Sequence, residues 1–111
     1  MGGFVKGDVV VMPFPFSDLS SSKRRPALVL ANSANDLILA QITSSSFSDG
    51  FAVEIEGDDF FDGGLRVTSN VRPNKLFTAE SSIIAYKAGC LKPEKTKEVV
   101  TAIVELLSHG K

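Results

Sequence analysis

Cysteine and histidine are almost absent from this sequence of 111 residues, which contains one of each and no tryptophan. The lone Cys90 has no partner for an internal disulfide and cannot build a cysteine-based metal site. The lone His109 lies in the C-terminal tail. The sequence therefore excludes a two-histidine acid–base mechanism, a Ser-His-Asp triad and a Cys-His pair. We expect neither a metal ion nor another cofactor.

Long hydrophobic runs are also missing. No stretch approaches the roughly 20 apolar residues of a membrane helix, because charged residues interrupt every run. The first eight residues lack the charged and apolar regions of a signal peptide. A composition of 43% hydrophobic and 23% charged residues is that of an ordinary globular protein. These features predict a cytoplasmic protein with no membrane contact and a single domain over residues 1–111.

An excess of positive charge is absent, since the formal net charge is −1. This excludes a generally basic protein that coats nucleic acid through its net charge. Residues 49–62 hold six acids and no Lys or Arg, so the rest of the chain carries +5. That distribution permits a local cationic surface or two solvated faces of opposite sign. Asp58, Asp59 and Asp62 belong to the acidic stretch, but adjacent residues of one turn rarely converge on a metal ion.

Short apolar segments dominate the first 90 residues and predict β-strands. The segments with strand character are 7–12, 25–32, 37–43, 51–56, 65–77 and 83–86. Pro13 and Pro15 are expected to end the first strand, and Pro73 should place its strand at a sheet edge or create a bulge. The polar segments 17–22, 44–50 and 57–64 predict loops or turns.

One helix is predicted at the C-terminal end. The apolar positions at helical spacing are Thr96, Val99, Val100, Ile103, Leu106 and Leu107. Pro93 suits the first helical position, and Gly110 follows as a stop signal. Several strands followed by one helix predict a mainly β protein, a small and strongly bent sheet or barrel with the helix packed on it.

Two polar clusters flank the predicted central strands. Lys23-Arg24-Arg25-Pro26 places three cations before one strand, and Thr43-Ser44-Ser45-Ser46 places four hydroxyls after the next. If the strands are antiparallel neighbours joined at residues 33–35, Arg25 and Thr43 lie at the same end of the hairpin. A guanidinium beside hydroxyl donors can bind phosphate. By itself the pattern favours the simpler interpretation, a solubilising cation cluster and an ordinary serine loop.

A set of short motifs runs in order through nearly the whole chain. The motifs are Gly7-Asp8-Val9-Val10, Pro13–Asp18, Lys23–Leu30, Gln41–Ser44, Gly50–Val53, Val71–Thr78 and Gly89–Pro93. Each motif alone is weak. Together, in this order and spacing, they closely resemble the PemK/MazF family of toxins from type II toxin–antitoxin modules.

The resemblance implies both a fold and an activity. The fold is a small SH3-like barrel of the MazF/CcdB type with a C-terminal helix, usually a symmetric homodimer. The activity is sequence-selective cleavage of single-stranded RNA, such as mRNA, by an endoribonuclease that a cognate antitoxin blocks. The family's catalytic pair corresponds to Arg25 and Thr43, and some members also use the arginine that matches Arg72.

The sequence departs from the family's pattern in two places. Asn74 stands where members that use the second arginine have an aspartate, and an amide cannot accept a proton as a carboxylate does. The segment Ser20–Ser22 lacks the histidine or glutamate found near this point in other members. The general base is therefore unassigned.

RNA cleavage without a metal ion or histidine is chemically coherent. The RNA 2′-OH attacks its own phosphate and leaves a 2′,3′-cyclic phosphate and a 5′-OH, so the protein supplies alignment and charge stabilisation. Arg25 suits the stabilising role, because arginine holds its proton too firmly to be a good acid or base. Thr43 and Ser44 can hydrogen-bond the phosphate.

Further residues are expected to bind RNA around this pair. Arg24, Lys75 and Asn74 lie on segments flanking the predicted cleft, and the acidic stretch 49–62 should lie away from the phosphate path. Phe51 either stacks on an unpaired base or belongs to the core. An acidic antitoxin tail could occupy the same groove by pairing with its arginines.

Two alternative functions are left open by the sequence. One is a non-enzymatic gyrase poison of the CcdB type, which shares the barrel and traps a protein partner through its terminal helix. The ending Ser108–Lys111 does not show the tryptophan-containing end typical of that type. The other is a catalytically degenerate homologue that only binds RNA or antitoxin, although Arg25 and Thr43 are intact.

Overall fold

The computed structural model of the chain describes residues 3–14, 23–44 and 51–110, without the side chains of Phe14 and Lys23. Three expectations therefore fall outside the described residues: the serine-rich loop 17–22, the serine loop beyond residue 44, and the ending of the first strand at Pro15. The Ser20–Ser22 departure from the family pattern falls outside them as well.

Seven strands and one α-helix make up most of the described residues. The elements are β1 (Asp8–Phe14), β2 (Lys23–Ser33), β3 (Asp36–Thr43), β4 (Val53–Ile55), β5 (Phe60–Gly63), β6 (Ser69–Glu80), β7 (Tyr86–Leu91) and α1 (Pro93–His109). Single 3₁₀ turns cover Gly57–Asp59 and Ser81–Ile83. The mainly β architecture with a C-terminal helix, predicted from the sequence, is confirmed.

All seven strands belong to one antiparallel sheet with the order β4-β6-β3-β2-β1-β7-β5. The sheet is curled, because one buried cluster contains Val53 and Ile55 from one end of this order and Phe60 from the other end. A second buried cluster, which includes Val10 and Val29, fills the opposite face of the central strands. Burial on both faces explains why β1 and β2 read as continuous apolar runs rather than alternating ones.

The helix α1 covers the first cluster with Thr96, Val99 and Ile103, which are buried at helical spacing. Pro93 occupies the start of α1, where its missing N–H costs no hydrogen bond, and Gly110 follows its end as predicted. In the part of the chain that the structure describes, no helix is long and apolar enough to cross a membrane.

Lys95 ties the start of α1 to the acidic stretch. Its Nζ lies 3.7 Å from a carboxylate oxygen of Asp59 and 3.0 Å from one of Glu98. Burial alone would lower the pKa of Lys95, but the hydrogen bond to Glu98 and the attraction of Asp59 raise that pKa above its ordinary value. Asp59 also accepts a hydrogen bond from the Glu56 N–H at 2.8 Å. These acids therefore hold local structure together.

The bounds of two predicted strands differ from the structure. The first strand does not end at Pro13, which pairs with Arg24 inside β1. The ladder between β1 and β7 stops at Val11, so Pro13 lies where β1 has one neighbour only and needs no second donor. The predicted strand 83–86 is displaced, because β7 covers Tyr86–Leu91.

The acidic segment 57–64 is not only a turn, since it contains the strand β5. Gly63 and Gly89 allow β5 and β7 to approach closely, because a Cβ on either residue would overlap the opposing backbone. Gly63 also has a φ of +70°, which favours glycine. The segment is rich in glycine and aspartate, which strands usually avoid, so sequence propensity did not predict a strand there.

Candidate functional site

The β2–β3 hairpin places Arg25 and Thr43 at the same end of the sheet. Its register runs from Ser33 opposite Asp36 to Ala27 opposite Gln41, with Ala34 and Asn35 in the turn. Continued by two residues, this register sets Arg25 opposite Thr43. The two strands are thus antiparallel neighbours joined at the predicted turn.

A cavity of about 250 Å³ opens at this end of the hairpin. Its lining residues are Arg24, Arg25, Pro26, Ile42, Thr43, Ser44, Leu65, Arg66, Val67 and Ser69. The volume lies below the roughly 300–1,000 Å³ typical of pockets that enclose a whole small molecule. The cavity therefore suits one group of a longer ligand better than a complete cofactor.

The electrostatics of this cavity favour an anion. Arg24, Arg25 and Arg66 line it, and no Asp or Glu is among the lining residues in the part of the chain that the structure describes. Within residues 3–14, 23–44 and 51–110, no carboxylate forms an ion pair with any of these three arginines. Elsewhere, Lys87 and Lys95 do pair with acids. Three guanidiniums that no described carboxylate pairs with, beside the hydroxyl residues Thr43, Ser44 and Ser69, have the chemistry of a phosphate site.

Packing and pairing hold the two central residues of the cavity in place. Arg25 is half-buried and pairs with Met12 of β1, so its backbone is held against that strand. Thr43 is half-buried and pairs with Asn70 of β6. Because both residues extend from the ends of central strands, their positions are fixed more firmly than those of loop residues.

Residues 72–75 of β6 form a bulge that carries three of the predicted site residues. Ala40 of β3 pairs with Leu76 and Ile42 pairs with Val71, so four residues of β6 face Gln41 alone. The expectation that Pro73 creates a bulge is confirmed. Arg72 within it is half-buried, whereas Asn74 and Lys75 are exposed. None of the three lines the arginine-lined cavity.

Asn74 and Phe51 line a second, wider groove of about 980 Å³ beside the C-terminal end of α1. The other residues lining this groove are Ala102, Glu105, Leu106, Leu107, His109 and Gly110. Phe51 is exposed to 42%, so it is not a core residue. The structure therefore divides the predicted site: Arg24, Arg25, Thr43 and Ser44 share the cavity, while Phe51 and Asn74 share the groove.

The described part of the acidic stretch, residues 51–62, does not line the cavity, and Asp49 falls outside the described residues. None of its described acids, Glu54, Glu56, Asp58, Asp59 and Asp62, is a lining residue. Among the residues that the structure places, no group of three or more His, Cys, Asp or Glu side chains could hold a metal ion.

Sequence reasoning placed residues 65–77 in one strand, but β6 begins only at Ser69. It therefore missed that Leu65, Arg66 and Val67 of the preceding connection, together with Ser69, line the cavity. The segment is distant from Arg25 along the chain and has no periodic pattern. Its one signal was an arginine two residues after the Gly63-Gly64 pair. Only the curling of the sheet brings that arginine to the hairpin end.

Comparison with known proteins gives one family match. Residues 5–107 match the model of the PemK-like, MazF-like toxins of type II toxin–antitoxin systems. A comparison with curated proteins finds no significant match.

Several solved structures share the fold. A MazE–MazF structure from Deinococcus radiodurans has a TM-score of 0.79 and 19% identity, over 98% of this chain and 99% of that chain. A mycobacterial endoribonuclease in complex with its cognate antitoxin has a TM-score of 0.76 and 16% identity, over 96% of this chain and 97% of that chain. Mycobacterium tuberculosis toxin MazF-mt6 has a TM-score of 0.71 and 18% identity, over 91% of this chain and 96% of that chain. The predicted MazF-type barrel is confirmed.

Proposed function

We propose that this chain, which belongs to the PemK-like, MazF-like family of type II toxins, cleaves single-stranded RNA at the cavity between Arg25 and Thr43. The observation that carries the proposal is that three arginines and three hydroxyl residues line one cavity, with no acid among its described lining residues. A phosphodiester is the anionic group that such a cavity fits. Structural neighbours from mycobacterial species that are endoribonucleases support the same chemistry.

The reaction we propose needs no nucleophile from the protein. The 2′-OH attacks the adjacent phosphorus, the bond to the 5′ oxygen breaks, and the products are a 2′,3′-cyclic phosphate and a 5′-OH. The attacked phosphate gains negative charge in the transition state, so a fixed cation beside it lowers the barrier. The proposed reaction requires no metal ion, because guanidinium groups stabilise the negative charge.

Each residue of the hairpin end then has a distinct role. The Arg25 guanidinium stabilises the charge on the phosphate oxygens, and Thr43 and Ser44 hold the phosphate through their hydroxyl groups. Arg24 binds the RNA backbone. Arg72, which the family resemblance assigns to catalysis, lies on the β6 bulge outside the cavity lining, so we assign it to the RNA path rather than to the reacting phosphate.

The groove beside α1 supports a second contact with RNA. Phe51 is exposed and can stack on an unpaired base, and Asn74 can hydrogen-bond a base edge. Lys75 is exposed on the same bulge as Asn74 and can meet a flanking phosphate. Unpaired bases are accessible in single strands but not in an RNA duplex, which supports single-stranded RNA as the substrate.

We propose that a cognate antitoxin inhibits this site and that the toxin acts as a cytoplasmic homodimer. Two of the structural neighbours are toxins with their antitoxins, MazE–MazF and the mycobacterial pair. An acidic antitoxin segment would pair with the cavity arginines and compete with RNA.

The proposal is tested with purified protein and a long RNA of defined sequence in buffer containing EDTA. We expect cuts at a short recurring sequence, with ends that carry a cyclic phosphate and a 5′-OH. Arg25→Gln protein, prepared in parallel, controls for contaminating nucleases. Random degradation that is equal for both proteins, or no cleavage by the wild type, would contradict the proposal and favour a non-enzymatic binding function.

A further inference from the structure

Arg66 occupies the wall of the cavity opposite the hairpin end. One wall consists of residues from β2 and β3, including Arg25 and Thr43. The other wall is the segment 65–69, which comprises the end of the connection from β5 and the first residue of β6. Arg66 is the cation of this second wall, and neither composition nor motif spacing singled it out.

Two anchors hold the segment on both sides of Arg66. Leu65, on one side, packs against the buried cluster beneath α1. Ser69, on the other, is 3% exposed and donates a hydrogen bond from Oγ to the Val67 carbonyl oxygen at 3.0 Å. The Arg66 side chain is exposed, but its backbone is thus tethered at the rim of the cavity.

The surroundings of Arg66 leave its charge available for an external anion. No described carboxylate pairs with it, and none of the cavity's described lining residues is an acid. Arg24 and Arg25 face the same volume, so three like charges converge there. Such an arrangement is unfavourable without an anion and becomes favourable when a phosphate binds between them.

From this geometry we infer that Arg66 is a phosphate-binding residue that clamps the RNA backbone from the wall opposite Arg25. The inference rests on the proposed function and adds a residue to it. Arg25 lies in a paired strand and suits the reacting phosphate. Arg66 lies on a tethered loop and binds the backbone mainly in the ground state, so it contributes to affinity more than to the rate of the chemical step.

The test measures binding of a 2′-O-methyl RNA oligomer, which cannot be cleaved, by fluorescence anisotropy at several salt concentrations. Arg66→Gln should weaken binding about tenfold, the expected effect of one charged hydrogen-bonding group. The slope of log affinity against log salt should fall by about 0.7, the value for one lost contact with a single strand. Arg66→Lys should keep most of the slope. In cleavage assays, Arg66→Gln should raise KM and leave kcat nearly unchanged.

The matched control is Lys6→Gln, which removes the same charge at a residue that lines a different groove, near the start of α1. If Arg66→Gln and Lys6→Gln weaken RNA binding equally, the effect comes from the net charge of the protein and the inference is overturned. Unchanged binding by Arg66→Gln, with binding lost in Arg25→Gln, would overturn the inference but leave the proposed function standing. A wild-type protein that neither binds nor cleaves RNA would contradict the proposed function itself.

Discussion

At the scale of single residues, Arg25 is the side chain whose setting best matches a catalytic role. It is half-buried, it belongs to a strand paired on one side with β1, and it lines a cavity with no acid among the residues that the structure describes there. A fixed cation in a partly desolvated position stabilises developing charge better than a mobile surface cation does. The roles proposed for Arg24, Thr43 and Ser44 follow from the placement of the reacting phosphate beside Arg25.

Replacement of Arg25 by Ala should lower the cleavage rate by about 10²–10³-fold, the usual cost of losing one such electrostatic donor. The fold should be retained, because the guanidinium forms no ion pair with a described residue. Single-turnover cleavage and circular dichroism measure the two effects. Wild-type cleavage by a folded Arg25→Ala protein would remove Arg25 from the mechanism.

The hydroxyl of Thr43 can be separated from its methyl group by a pair of substitutions. Thr43→Val keeps the branched shape that suits a strand and removes the hydroxyl, so cleavage should fall strongly. Thr43→Ser keeps the hydroxyl and should retain more activity. The cleavage rates of the two variants are compared after thermal unfolding has shown that both are equally stable. If Val is tolerated better than Ser, Thr43 acts through packing and not through a hydrogen bond to phosphate.

At the scale of elements, the β2–β3 hairpin was predictable in nearly every respect and the other half of the cavity was not. The apolar runs of β2 and β3 and the short polar turn between them are local signals, and they place Arg25 near Thr43. The segment with Arg66 joins them only through the curl of the sheet and the packing of Leu65. Such long-range packing leaves no periodic trace in one sequence.

The bulge of β6 shows the same limit. Pro73 predicts a disruption of the strand, but not that four residues would face Gln41. This extra length moves Asn74 to the groove beside α1 and out of the arginine-lined cavity. Motif order along the chain could not separate these two sites.

The hairpin turn contains a strained residue, which gives a test of the element. Ala34 has a φ of +56°, in the left-handed region that disfavours residues with a Cβ. Ala34→Gly should therefore stabilise the protein, by about 0.5–1 kcal/mol, despite the greater freedom of glycine in the unfolded chain. Urea unfolding measures the change.

The matched control for this turn is Ala85→Gly, at an exposed alanine outside the left-handed region. This control should lose stability by about 0.5 kcal/mol, because only the entropy cost of glycine applies. A loss of stability in both variants would show that the turn is not strained in solution.

At the scale of the whole molecule, a considerable apolar surface is left uncovered. The exposed side chains include Phe61 at 76% and Leu107 at 72%, together with Val104 and Tyr86. A small chain with a sheet buried on both faces has little interior left for such residues. A symmetric partner is the simplest cover.

We therefore expect a homodimer with about twice the monomer mass of 11.9 kDa. Light scattering coupled to gel filtration at micromolar concentration gives the mass directly. A mass near 11.9 kDa would contradict the prediction. Val104→Lys probes the exposed face of α1 at a residue outside the described lining of the groove, and should weaken the dimer if that face lies in the interface.

The central claim is that the cavity between Arg25 and Thr43 promotes attack by the substrate's own 2′-OH. The most direct test uses a short RNA with one mapped cut and the same RNA with a single 2′-deoxy sugar on the 5′ side of that cut. Wild-type protein should cleave the first RNA and bind both, but leave the deoxy site intact, because the nucleophile is gone. Cleavage of the deoxy-substituted RNA at the same bond would contradict the account.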